Sequence, residues 1–524
     1  MSARLPPPIE LILGSGIDSD GVLAALAKKF TMVSDPPVNG ERTYLDTFDG
    51  RLRSAGLTLG WGRQHGDRHA NLALSTADGL VTRAPASRSA TGPGRLFAAD
   101  LPPGPLHDTV AGVIEMRALT PRASVKYRQR NATVQDREAK TVVRLHFEEP
   151  VAMTARLLVS PVLGYGSAFA GVTAALRSLP GLRPAKRPLR DEAILAAGGH
   201  PAGVSAKIAV SLRPAMRADE ATFALCRRLA EVVEANLAGT LAEIDTEFLH
   251  DLRVAIRRSR SVLREMKGVF PPDESRQAAA DLRWIQEITG PTRDLDVQLL
   301  EWPQMVAGLP ARVAADLQPL HDLLARHREE AGRTMRRQLR GPRYAEAWTT
   351  WRALLDPALH PAKDPAHDPA RPQAHRPIAA VAGSRIVTVY RRMIRMGEAI
   401  NDDSPPESLH DLRKRGKEYR YLLELYGSLW PSGTVTPMTT AMKGLQDVLG
   451  RFQDDEVQAN YLRSLGPELL ATTGDTDTLI ALGLVIDRLG RDQSDARAAF
   501  AGRFTNFAAR SNRNLVAATF GVRA

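Results

Sequence analysis

The pentapeptide LHDLR stands at Leu249–Arg253 and again at Leu409–Arg413, a spacing of 160 residues. The same spacing carries Gln286 onto Gln446, Gly290 onto Gly450, Asp294 onto Asp454 and Arg343-Tyr344 onto Arg503-Phe504. A spacing held that far without insertion marks a duplicated unit, and a duplication decides the architecture of its part of the chain. From about residue 217 onward, apolar residues recur with the 3.6-residue period of helices. Four helical stretches are expected in the first unit, at 217–240, 246–268, 276–304 and 308–350. Their counterparts are 378–400, 407–428, 436–464 and 475–510. Between the copies, the Pro- and His-rich stretch 356–377 reads as a poorly ordered linker and not as a metal site.

The first 180 residues follow a different pattern. Short alternating or apolar runs separated by turn residues predict strands at 9–13, 42–46, 57–61, 71–75, 113–117, 124–130 and 141–147. Helices are expected near 22–30 and 167–179. The chain therefore reads as multidomain. An α+β domain dominated by antiparallel sheet covers 1–180, and a Pro/Gly-rich connection covers 181–216. An all-α domain covers 217–510, built of four-helix units 217–355 and 378–510.

Advancing the first LHDLR helix by about 100° per residue places His250, Arg253, Arg257, Arg260 and Arg264 on one side. Leu252, Ile256, Val262, Leu263 and Met266 take the opposite side, the core face. The second copy repeats the stripe with His410, Arg413, Lys417 and Arg420, but Glu424 stands where Arg264 stood. The fourth stretch adds Arg333, Arg336, Arg340 and Arg343, of which only Arg343 has a cationic match, Arg503. Like charges at i,i+3 and i,i+4 destabilise an isolated helix, so a stripe kept in both copies points to a bound polyanion. Arginine suits phosphate, because its planar fork meets two oxygens at once and keeps its charge. Asp294, Asp296, Asp454 and Glu456 read as caps or partners that orient the arginines.

Composition agrees with this reading. Lys and Arg total 70 against 59 Asp and Glu, a net charge of +11 that favours anionic partners. Cys226 is the single cysteine, which excludes an intramolecular disulfide and a cysteine metal cluster and fits a reducing cytoplasm. No apolar run approaches the ~20 residues that span a bilayer, so no membrane partner is expected. The helical half offers no nucleophile with a suitably spaced base. No catalytic residue, metal site or cofactor is assigned, and the expectation is a binder.

The segments LHDLRVAIRRSRSVLREM, LHDLRKRGKEYRYLLELY, LRWIQEITGPTRDLDV and MKGLQDVLGRFQDDEV resemble the CHAD domain. That resemblance implies two pseudo-symmetric four-helix units that bind inorganic polyphosphate in a basic groove. It implies phosphate contacts at His250, Arg253, Arg257, Arg260, Arg264, His410, Arg413, Lys417 and Arg420, to which the stripe on the fourth stretch adds Arg336 and Arg340 as expected polyphosphate-binding residues. Association with polyphosphate granules in the cytoplasm is a further implication. The departures are Glu424 and the thinner second outer stripe.

The N-terminal domain resembles a CYTH, or triphosphate tunnel, domain through TYLDTFDGRLRSAGLTL and VIEMRALTPRASVKYRQR. The family's opening ExExK strand is reduced here to Glu10. Gly60 and Gly62 stand where arginines usually alternate, Ser75 replaces a lysine, and the late acidic strand reads Arg144-Leu145-His146. A tunnel hydrolase needs several carboxylates for its divalent metal and several cations for its substrate. The expectation is a degenerate CYTH-like barrel. The alternative functions are residual metal-dependent triphosphatase activity in this domain, or nucleic-acid binding by the basic groove. Few aromatics interleave with the stripe arginines, which disfavours base stacking.

Overall fold

The structure, a computed structural model, describes residues 6–66, 69–76, 81–86, 93–208, 210–360 and 368–521. The chain divides into two compact units, Met1–Ser205 and Ala206–Ala524.

The first unit is one ten-stranded antiparallel sheet with helices. Its strands begin with β1 (Ile9–Leu13), β2 (Thr31–Ser34), β3 (Val38–Thr47), β4 (Thr58–Gln64), β5 (Asn71–Ser75) and β6 (Val81–Pro85). They continue with β7 (Leu119–Gln135), β8 (Thr141–Pro150), β9 (Arg156–Pro161) and β10 (Leu182–Pro184). The order is β10-β1-β9-β8-β7-β3-β4-β5-β6, with β2 also paired to β7. The helices are α1 (Ser19–Ala27), α2 (Arg51–Ser54), α3 (Pro105–Ile114), α4 (Gly166–Arg177) and α5 (Leu189–Ala196).

Alternation along the strands separates two faces. Leu11, Val143, Leu145, Phe147, Leu157 and Val159 pack with Val22 and Leu26 of α1 and Val172 and Leu176 of α4. Leu45, Leu59, Leu72 and Leu74 pack with Leu52 of α2 and Leu106, Val110 and Ile114 of α3. The other face carries Tyr44, Ala123 and Val125, covered by Ala193 and Ile194 of α5.

Two sequence expectations change in this unit. Residues 113–117 are not a strand, because Val113 and Ile114 end α3. Leu106, Val110 and Ile114 recur every four residues behind Pro105, a helical signal stronger than the short alternation after it. Part of the stretch 181–216 is also structured, since β10 pairs with β1 and α5 lies on the sheet.

The second unit is all helical. Its first half contains α6 (Ala218–Leu241), α7 (Thr246–Glu265), α8 (Pro272–Val306), α9 (Ala311–Asp316), α10 (Gln318–Leu339) and α11 (Pro342–Leu354). Its second half contains α12 (Ile378–Glu398), α13 (Pro406–Tyr426), α14 (Ser432–Thr473), α15 (Thr476–Phe507) and α16 (Arg510–Phe520). The starts of α6, α7 and α8 map onto those of α12, α13 and α14 at the 160-residue spacing.

The fourth stretch does not repeat. The continuous helix expected over 308–350 is divided into α9, α10 and α11. Proline in a helix interior lacks the N–H and clashes with the preceding turn, so Pro310, Pro319 and Pro342 stand at or beside the new helix starts. The linker expectation over 356–377 changes as well, although 361–367 lie outside the described residues. Asp368, Arg371 and Ala374 are buried, and the Arg376 and Ala374 carbonyls accept from Ala218 and Asp219 at the start of α6.

One core joins the two halves, drawing Leu229, Leu252, Ile256 and Leu282 from the first and Ile386, Leu412, Leu422 and Leu445 from the second. Close helix contact requires glycine at one point in each half. A Cβ on Gly239 would lie 2.1 Å from Phe248 Cδ1, and one on Gly397 would lie 1.9 Å from Phe504 Cε2. Alanine normally favours a helix over glycine by about 1 kcal/mol. Overpacking a filled core costs about 1–3 kcal/mol, and Phe504 is buried against Phe500 and Phe507. Gly397→Ala is therefore expected to lower stability, by up to about 2 kcal/mol, in urea denaturation. An unchanged or raised midpoint would contradict this packing.

Candidate functional site

Asp245 caps α7, its carboxylate accepting from the Glu247 and Phe248 N–H groups. Burial of Leu249, Leu252, Ile256 and Leu263 then fixes the rotation of α7. Leu409, Leu412, Leu422 and Leu423 fix α13 in the same way. The two helices come together with their charged sides around a cavity of about 440 Å³.

Arg257, Arg260 and Arg264 of α7 line this cavity with Lys414, Arg415 and Lys417 of α13 and Arg392 of α12. Against these cations stand two carboxylates, Asp411 and Glu418. Four residues of the expected stripes, Arg257, Arg260, Arg264 and Lys417, thus share one site. Arg392, Lys414 and Arg415 were not singled out in the sequence. The basic run Arg391-Arg392 was visible, but its direction depends on how α12 packs beside α13.

The other stripe residues are held at the margins. Arg253 Nη1 donates to the Gln286 carbonyl at 2.7 Å and to Thr289 Oγ1 at 2.8 Å, tying α7 to α8. Within the cavity, Arg260 donates to Gln286 Oε1. His410 Nδ1 meets Gln453 Oε1, and Arg413 pairs with Asp454 at 2.6 Å. His250 is half-buried on α7 outside the cavity lining. Arg420 lies over Tyr421, 5.3 Å from the ring centroid. Arg336 pairs with Glu243, Arg340 caps the exposed end of α10, and Arg343 lies over the Trp284 ring at 4.3 Å. Of the acidic residues, Asp454 pairs with a stripe arginine, whereas Asp296 pairs with Arg328 at 2.8 Å.

Glu424 has a definite partner. The repeat spacing maps Arg258 onto Glu418 and Arg264 onto Glu424. In the structure Arg258 pairs with Glu424 at 2.7 Å, and Arg264 pairs with Glu418 at 3.2 Å. Identical copies would set arginine against arginine at both places. The exchange of charge in one copy converts both contacts into ion pairs between α7 and α13. Glu418 is buried and also accepts from Arg415 at 2.6 Å.

The cations left over are incompletely matched. Arg257 Nε is buried with no hydrogen-bond partner among the described residues, and its guanidinium lies 5.6 Å from the Tyr421 ring centroid. Burial, with Arg413, Arg257 and Arg420 nearby, pushes the Lys417 ammonium down to about 8. Burial also lowers Arg253 and Arg260, the latter helped by Arg264 and Arg283. A charged anion in the cavity would relieve these effects on Arg257, Lys417 and Arg260.

Residues 224–463 match the sequence model of the CHAD domain. This part of the chain is a CHAD domain. The match includes α7, α8, α12 and α13 whole, and thus every helix that lines the cavity. A 235-residue stretch of the chain is 26% identical to Uncharacterized protein Rv2226 of Mycobacterium tuberculosis, covering 44% of this chain and 42% of that protein. The crystal structure of the CHAD domain from the plant Ricinus communis is similar at 24% identity and a TM-score of 0.46, covering 57% of this chain and 95% of that one. The Hippeastrum protein HpAC1, described with a dominant triphosphatase activity, is similar at 13% identity and a TM-score of 0.27, covering 37% of this chain and 95% of that one.

Outside the CHAD domain, the charged residues on the α5-covered face of the sheet pair with one another. Arg156 donates to Glu10 at 2.6 Å and pairs with Glu192 of α5 at 2.6 Å. Arg42 donates to both oxygens of Glu148, at 3.0 and 3.1 Å, and lies over the Tyr127 ring at 4.7 Å. Burial works against the Glu148 charge, but His146 and Arg42 outweigh it and hold the carboxyl below its ordinary range. Glycine makes room for these groups: a Cβ on Gly60 would lie 2.9 Å from Arg42 Cδ, and one on Gly40 would lie 2.9 Å from Tyr127. Glu10 and Glu148 are thus held by arginines, an arrangement that does not fit the divalent metal a tunnel hydrolase would need.

The charge exchange between α7 and α13 can be checked directly. Arg258 and Glu424 are only partly buried, so their coupling should be about 1 kcal/mol or less. Arg258→Glu should destabilise the CHAD domain, and Arg258→Glu with Glu424→Arg should recover part of the loss in a denaturation cycle, the remainder reflecting the Arg420–Glu424 pair at 3.2 Å. Additive losses would show that the pair does not hold the helices.

Proposed function

We propose that the CHAD domain binds inorganic polyphosphate in the cavity between α7 and α13, without itself performing chemistry. The unmatched cation cluster carries this reading, above all Arg257 with its unpartnered Nε and Lys417 with its depressed ammonium. Polyphosphate offers closely spaced anionic oxygens, which arginine can accept two at a time. His250, Arg253, His410, Arg413 and Arg420 shape the margins of the site, with Arg336 and Arg340 farther out on α10. Affinity arises largely from counterion release, so binding weakens steeply with salt. Association with polyphosphate granules would follow from the same contacts.

Lys417 gives the reading a specific signature. Burial and the neighbouring arginines push its ammonium down to about 8, and a bound polyanion favours the protonated form. Affinity is therefore expected to fall as pH rises through 8, with proton uptake on binding in that range. Lys417→Arg should flatten the profile, because guanidinium stays charged there. Calorimetric titration between pH 7 and 9 checks this. A flat wild-type profile, or displacement of the bound polyphosphate by equal charge concentrations of RNA or DNA, would overturn it.

A further inference from the structure

A second cavity, of about 620 Å³, adjoins the first, and Arg260 and Arg264 line both. Its lining is different in kind. Leu263, Met266, Phe270, Ala279 and Ala280 form much of the wall. Three further cations, Lys267, Arg276 and Arg283, line it as well. The first cavity, by contrast, is walled chiefly by charged and polar side chains.

This second compartment is also one-sided. The repeat spacing replaces Lys267 by Gly427, Arg276 by Thr436 and Arg264 by Glu424, so the second copy cannot reproduce it. An inorganic phosphate chain is the same along its length and gives no use to an apolar chamber at one end. A ligand whose two ends differ does. We propose that the second cavity takes the nucleoside end of a nucleoside polyphosphate, whose phosphates cross Arg260 and Arg264 into the first cavity.

The chemistry fits at each end. The volume lies within the roughly 300–1,000 Å³ usual for small-molecule sites. Ala279 and Ala280 leave space beside Arg283, whose guanidinium is exposed and oriented by Glu287 at 2.8 Å, suited to stack on a base. Lys267 adds positive charge to this wall, while Arg276 is paired with Asp273.

The inference rests on the phosphate reading of the first cavity, and one experiment separates the two. The full chain is titrated with adenosine 5′-tetraphosphate and with linear inorganic tetraphosphate at one ionic strength. The inorganic chain carries one more acidic oxygen, so charge alone would favour it. The expected result is binding of the adenosine compound about tenfold tighter, as base stacking supplies. Ala280→Trp, which fills the chamber from an exposed helix position, should remove that preference and leave inorganic tetraphosphate affinity unchanged. Equal affinities in the wild type, or a preference that survives Ala280→Trp, would overturn the inference. Failure of both ligands to bind would overturn the phosphate reading, and this inference with it.

Discussion

The packing of α7 beside α13 is the contact on which the candidate site depends. It brings two strongly cationic helices within ion-pair distance, which like charge opposes. The exchange of Arg258 for Glu418 and of Arg264 for Glu424 between the copies resolves this. Two cross-helix ion pairs, Arg258 to Glu424 and Arg264 to Glu418, stand where repulsion would otherwise be. Neither pair is fully buried on both sides, so each contributes modestly to stability. They also favour this register, since sliding by a turn in one direction would set Arg258 toward Arg420 and Arg264 toward Lys414. With the register fixed, Arg257, Arg260 and Lys417 converge on one cavity.

The N-terminal sheet handles buried charge by the opposite arrangement. There, Glu10 and Glu148 each receive an arginine, and Gly40 and Gly60 leave space for the side chains involved. The carboxylate charge is matched there by Arg42 and Arg156. In the CHAD domain, Arg257 and Lys417 remain without that satisfaction. Groups so placed are where an external anion gains most, because binding removes an existing penalty.

Much of this was legible in the sequence, and the limits have physical causes. The 160-residue spacing located both copies of the first three helices, since a duplication repeats its caps and core positions together. It failed at the fourth, where Pro310, Pro319 and Pro342 have no proline counterparts. The stripe on α7 followed from period alone. Which of its members face the cavity did not, because Arg253 is drawn toward α8 by the Gln286 carbonyl and Thr289. Arg392 and Arg415 were invisible as site residues for the same reason: their direction is set by neighbouring helices. Glu424 read as a loss from the stripe because its partner, Arg258, lies on another helix. On the sheet, Gly60 read as a missing cation, whereas its role is to admit Arg42.

The central claim is that the two repeats build one site and not two. Titration of a defined short polyphosphate into the full chain tests it through stoichiometry. The expected result is one equivalent bound, with Arg257→Glu on α7 and Lys417→Glu on α13 each weakening that single event by more than about tenfold. Two equivalents, one of them unaffected by each substitution, would contradict it.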